Sequence, residues 1–238
     1  MESRPRSRNC SRAFSLIELL VVVVIIGIVA RFAVPAVGSL LRGSALTQAA
    51  TLLTDQVSLA RQHALSRNRV VEVRFYRFWD PEQAGEKATD DPASAPFRAL
   101  QYLEIGEQAI PNPVGKVARF PDSMMMNPSE TFSTILGTNV TTRLVKKASL
   151  DRNDPDLPRG IDKNYDYIAF RFQPDGSTSL SPTGSSTGPS SGGRWFITVH
   201  AISDLARTTG GEPPPNFATW MIDPVSGSSK VFRPGLKN

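Results

Sequence analysis

Residues 12–37, RAFSLIELLVVVVIIGIVARFAVPAV, constrain what this chain can fold into more than any other stretch. Residues 19–30 carry no charged side chain; Glu18 and Arg31 flank them, and Pro35 comes shortly after. A helix of about 20 apolar residues crosses a bilayer. Counted over residues 15–37 the stretch reaches that length, provided Glu18 lies near the first turn and Arg31 near the far boundary. Arg31 could extend its long stem to the headgroups. Glu18 is costlier, because a carboxylate in hydrocarbon needs a partner. Arg12 is the nearest upstream cation, and a cut between Ala13 and Phe14 would supply an amine.

The run Arg12-Ala13-Phe14-Ser15-Leu16-Ile17-Glu18-Leu19-Leu20 resembles the processing and methylation motif of type IV pilins and type II secretion pseudopilins. The resemblance implies removal of a basic leader after Ala13 by a prepilin peptidase, and N-methylation of the new terminus, Phe14. It puts Glu18 at the fifth mature position and Pro35 near the twenty-second, where the family commonly has Glu and Pro. The family usually has Gly before the cut, where this chain has Ala13. A simple signal anchor and a cleaved secretory signal fit less well; the stretch ends without a small-x-small site and runs on into a helical pattern.

Of the 238 residues, 40% are hydrophobic, and about 200 remain beyond the apolar stretch, enough for one domain with a sizeable core. Net charge is +5, of which Arg4, Arg6, Arg8 and Arg12 against Glu2 contribute +3, leaving +2 after residue 13. The basic balance is therefore an address on the leader and weak evidence for nucleic acid. The single cysteine, Cys10, also lies in the leader, so a processed chain has neither disulfide nor thiolate site.

Residues 38–69 extend the helix: Leu46, Ala49, Leu53, Val57, Ala60 and Ala64 recur at three- and four-residue steps, with Leu52, Leu59 and Leu65 widening the stripe. With the apolar half this makes one helix of about 50 residues, roughly 80 Å long, with a kink expected at Pro35. Residues 70–79 alternate with period two and predict a strand with one buried face. Residues 80–96 read as a solvated loop, 97–105 as the return strand and 114–120 as a third strand. Met124, Met125 and Met126 read as core filler, 132–136 as a short strand and 144–150 as a helical turn or strand. Further strands are expected at 165–172, 195–201, 217–222 and 229–232. Residues 174–177 and 223–227 read as turns, while 181–193 and 205–216 read as loops. The fold class is α+β: a long N-terminal helix on an antiparallel sheet of roughly six to eight strands. The divisions are a leader over 1–13, an assembly helix over 14–37, and the remainder over 38–238.

Resemblance extends into the body. Residues 59–68, LARQHALSRN, followed by a Val-rich strand, look like the helix end of H-type pseudopilins and FimT-like minor pilins. The Pro-Asp-Gly176 and Asp-Pro-x-x-Gly227 turns are similar to that group's last two hairpins. The long loop and extended middle fit better the prepilin-like cassette proteins of environmental bacteria.

Chemistry is sparse. His63 and His200 make no ligand pattern and read as structural. Two Asp/Asn-rich runs, 151–156 and 162–166, invite a calcium reading, but neither completes a binding loop. No nucleophile elbow, phosphate loop or poised acid–base pair is present, so no catalytic residue, metal site or cofactor is expected, and the chain reads as a non-enzyme. The resemblance implies a minor pseudopilin, single-pass in the inner membrane with its body on the extracytoplasmic side. Its partners would be the peptidase/methylase, other pilin-like subunits and the inner membrane. Arg143, Lys146 and Lys147 offer only a small basic patch, so a DNA-uptake pilin is the alternative, beside a tethered domain that never polymerises.

Overall fold

The computed structural model describes residues 15–83, 85–87, 90–106, 110–137, 144–147, 164–182 and 194–234, with the side chains of 32–40 and 144–147 outside the description. Two compact units divide the chain, Met1–Leu41 and Arg42–Asn238, and helix α1, Leu16–Arg67, runs through both. Pro35, where a kink is expected, is helical in backbone and lies among residues whose side chains are not described.

In the larger unit, the six-residue stripe predicted for α1 is sealed: Leu46, Ala49, Leu53, Val57, Ala60 and Ala64 are each at most 1% exposed. Leu52 is half-buried beside them, whereas Leu59 and Leu65 stand exposed, so the stripe is narrower than expected. The helix ends at Asn68, whose φ of 52° places it in the left-handed region while the Arg69 amide donates to the Ala64 carbonyl. Asparagine tolerates that conformation because its short polar side chain supports it locally.

The stripe packs on an antiparallel sheet of ten described strands, more than the six to eight expected. These are β1 Val71–Phe78, β2 Phe97–Ile105, β3 Pro111–Pro113, β4 Ala118–Arg119, β5 Met124–Met126, β6 Leu144–Lys147, β7 Tyr165–Phe172, β8 Trp195–Ala201, β9 Phe217–Ile222 and β10 Ser229–Phe232. Their order is β10-β9-β8-β5-β2-β1-β7-β6, with β3 and β4 both on β2. The surplus comes from fragments. Of the expected third strand, 114–120, only β4 forms, with β3 an extra short piece just before it, and Met124, Met125 and Met126, all buried, form β5 and bridge β2 to β8. Residues 132–136 are turns rather than a strand. They serve β8 where β5 stops: Ser133 Oγ and Thr134 Oγ1 accept from the Thr198 and Phe196 amides at 3.1 and 2.9 Å. A short helix, α2 (Leu205–Thr209), occupies a segment expected to be loop.

β1 departs most from expectation. Val71, Val73 and Phe75 join the core under α1, but Glu72, Arg74 and Tyr76 on the other face are also at most 2% exposed. Burial of charge is tolerable only with pairing. Glu72 meets that condition by bonding Arg74 Nε at 2.7 Å and Arg171 Nε at 2.9 Å. Arg74 lies 4.4 Å over the Tyr167 ring, Tyr76 packs edge-on against Tyr165 and Tyr167, and its hydroxyl donates to Gln101. The expected solvated loop at 80–96 is pinned beside this face. Glu86 pairs with Arg98 at 2.8 Å and Asp80 with Arg119 at 3.2 Å, and the Trp79 indole donates to the Asp91 carbonyl.

Candidate functional site: the start of the first helix

The helix opens where a polar residue meets the apolar run. Ser15 precedes the first helical residue; its carbonyl accepts from the Glu18 and Leu19 amides, and its hydroxyl lies 3.4 Å from the Glu18 amide. Ser-x-x-Glu is the spacing of a capping box, and an acid in the first turn complements the positive end of the helix. Glu18 thus has a local role whether or not it meets a partner. The three-residue spacing was visible in the sequence, but its capping role had not been read there.

From Leu19 to Ala30 the helix has no polar face. Twelve apolar side chains from Leu16 to Val29 are 46–83% exposed. A helix apolar all round is ordinarily buried against something, and none of the described residues covers these side chains. Gly27 leaves open space where a side chain would stand.

Length contradicts the membrane reading. Among the described residues no helix is long and apolar enough to cross a membrane, which overturns the expected single-pass inner-membrane topology. Between Glu18 and Arg31 the twelve charge-free residues 19–30 rise roughly 18 Å, short of a hydrocarbon core of about 30 Å.

Of the remaining candidates, Ala13 and Phe14 lie outside the described residues, as does the Asp/Asn-rich stretch 151–163. The second Asp/Asn run ends in β7, where Asp166 is held by Arg77 at 2.9 Å. Among the described residues no group of three or more His, Cys, Asp or Glu could hold a metal ion. Arg143 and the side chains of Lys146 and Lys147 are likewise outside the description.

The histidines are structural, each in its own way. His63 Nε2 meets Glu104 Oε2 at 2.8 Å, fastening the end of α1 to β2. His200 is fully buried; its Nδ1 lies 2.7 Å from the Ala201 carbonyl and its Nε2 2.8 Å from Asn127 Nδ2. Since a carbonyl can only accept, Nδ1 carries the proton, and Nε2 accepts from the amide of Asn127, whose own oxygen receives the Ser129 amide. That pattern fits a neutral ring, and burial pulls its pKa below the ordinary histidine value.

The two turns singled out in the sequence meet. Gly176 and Gly227 both have positive φ, and a side chain on Gly227 would overlap the Gly176 carbonyl. Arg61 of α1 donates to the Ser226 carbonyl at 3.2 Å, and the Pro224 carbonyl receives both the amide and hydroxyl of Thr178. Asp175 and Asp223 brace the turns through Ser177 and Ser226, bonds that hold both carboxyls below the usual range.

Residues 8–30 match the prokaryotic N-terminal methylation motif. No curated protein matches the chain, and no solved structure does. The chain therefore carries a prepilin-type cleavage and methylation motif at its start, on an α+β body with a long helix against an antiparallel sheet. Such a motif implies a peptidase and methylase as partners.

Proposed function

We propose that this chain is a pilin-like structural subunit, cut after Ala13, methylated on Phe14, and built into a secretion or pilus filament through the first half of α1. The observation that carries this reading is the coincidence of the methylation motif with a helix exposing apolar side chains on every side. Burying a Val, Leu or Ile side chain stabilises by about 1.5–3 kcal/mol. Twelve half-exposed ones therefore amount to an association energy on the order of 10 kcal/mol or more, before ordering costs.

Cutting after Ala13 leaves an amine four residues from Glu18. In a packed stack of helices the amine of Phe14 pairs with Glu18 of the same or a neighbouring copy. An uncompensated acid there is expensive, so the pair selects the axial offset at which copies stack. Pro35 loosens the helix between the stacking half and the displayed body. On this reading residues 1–13 are leader, 14–37 the assembly helix and 38–238 the displayed part. Kinship with H-type pseudopilins and FimT-like minor pilins rests on the LARQHALSRN helix end and the two glycine turns. The loop-rich body suits a minor position, since a major subunit must tile repeatedly.

Mass spectrometry of the protein purified from cells tests the processing: the expected N-terminus is methylated Phe14. Retention of residues 1–13 in functioning protein would overturn it. Glu18→Ala is expected to leave the fold intact and to deplete the subunit from purified filaments.

A further inference from the structure

β10 ends the sheet, and among the described residues nothing pairs with its outer edge. Edge strands are normally blunted against pairing, yet this one exposes Val231 by 40% and Phe232 by 55%, on opposite faces. The register assigns the faces. Ser229 pairs with Ile222 and Val231 with Trp220, both core residues, so odd positions face α1; Lys230 pairs with Met221 and faces away.

Clefts flank the strand on both faces. On the helix side, a groove of about 330 Å³ lies between Ala50, Thr51 and Asp55 of α1 and Ala218, Val231 and Arg233. Arg233 closes one end through Thr47 Oγ1 at 2.6 Å and the Gly43 carbonyl. On the outer side, a cleft of about 400 Å³ is walled by Arg194, Lys230, Met221 and Pro182. Its one carboxylate, Asp223, is taken up by the Val225 amide and the Ser226 hydroxyl. No ion pair engages Arg194, Lys230 or Arg233 among the described residues.

We propose that the free edge of β10 takes up an extended acidic segment of a partner protein as an added strand. Backbone bonding along an open edge supplies affinity without regard to sequence, and side chains alternating between the faces supply selectivity. The groove beside Val231 and Ala218 suits apolar side chains, with the opposite charges of Asp55 and Arg233 on its walls favouring neither acids nor bases there. The outer face, with Arg194 and Lys230, suits carboxylates. The preferred ligand therefore alternates acidic and aliphatic residues. This inference does not depend on processing at Ala13, so either can fail alone.

The test uses the full chain in mild detergent and two fluorescent octapeptides, one alternating glutamate with valine and one alternating lysine with valine. The first is expected to bind, more weakly as salt rises. A photo-crosslinker at its centre should label residues 229–233. Lys230→Glu, an exposed change expected to leave the melting profile unaltered, should weaken the glutamate peptide about fivefold or more and favour the lysine peptide. Val231→Lys should block both. Failure of the glutamate peptide to bind, equal binding of the two, indifference to Lys230→Glu, or crosslinks elsewhere would each overturn the proposal. Self-association of the peptide-free chain through residues 229–233 would also overturn it and assign the edge to a second copy.

Discussion

From Leu16 to Val29 twelve apolar side chains of α1 stand in solvent, whereas from Leu46 to Ala64 six are sealed against the sheet. The backbone is one helix throughout; what changes is composition around it. The first half has apolar residues at every angle, and the described residues offer them no cover. The second half gathers six of them on one sealed stripe, leaves Leu59 and Leu65 exposed, and gives most other positions to polar residues, so a single sheet suffices. The same secondary structure therefore serves folding in one half and, on the proposed reading, association in the other.

Substitutions should separate the halves. Leu53→Ala, in the sealed stripe, is expected to lower stability by about 3 kcal/mol, read as a reduced urea midpoint. Ala60→Leu, where the helix lies close on the sheet, should cost about 1–3 kcal/mol through overpacking. Acid should weaken the larger unit. His200 is held neutral, so the unfolded chain takes a proton that the folded one refuses. Stability is complete above the free histidine value of about 6.5 and falls below it by up to roughly 1.4 kcal/mol per pH unit, until the folded group titrates. His200→Gln should flatten that slope in melts recorded from pH 7.5 downward. Val23→Ala, in the exposed half, should change stability by less than about 0.5 kcal/mol while reducing incorporation into filaments. A large stability loss there would erase the distinction between the halves.

Periodicity made most of the fold legible. The three- and four-residue steps of the stripe, the alternation of β1 and the glycine turns each announce local geometry through a local pattern. The second face of β1 was illegible for the opposite reason. Glu72, Arg74 and Tyr76 look like a solvated edge, because their partners Arg171, Tyr167 and Gln101 lie far along the chain. Residues 80–96 misled similarly: mixed charge reads as solvation until Arg98 and Arg119 are placed beside Glu86 and Asp80. At the candidate site, Glu18 stands out in the sequence as a lone acid at the head of an apolar run, but its place beside Ser15 in the first turn shows only in the structure, and the run, of bilayer length over 15–37, has only twelve charge-free residues between Glu18 and Arg31. The free edge of β10 had no sequence signal, since which strand ends a sheet is decided by topology.

The grip on α1 from the far end of the sequence has a bearing on synthesis. Arg61 reaches Ser226 across 165 positions, and Thr47 receives Arg233 across 186. A nascent chain leaving the ribosome exposes the sealed stripe long before its last two strands exist to hold it. Contacts so remote form late and slowly. Removing β9 and β10 is therefore expected to loosen the helix made first, because Ala218, Trp220 and Ile222 of its core and the bonds from Arg61 to Ser226 and from Arg233 to Thr47 go with them.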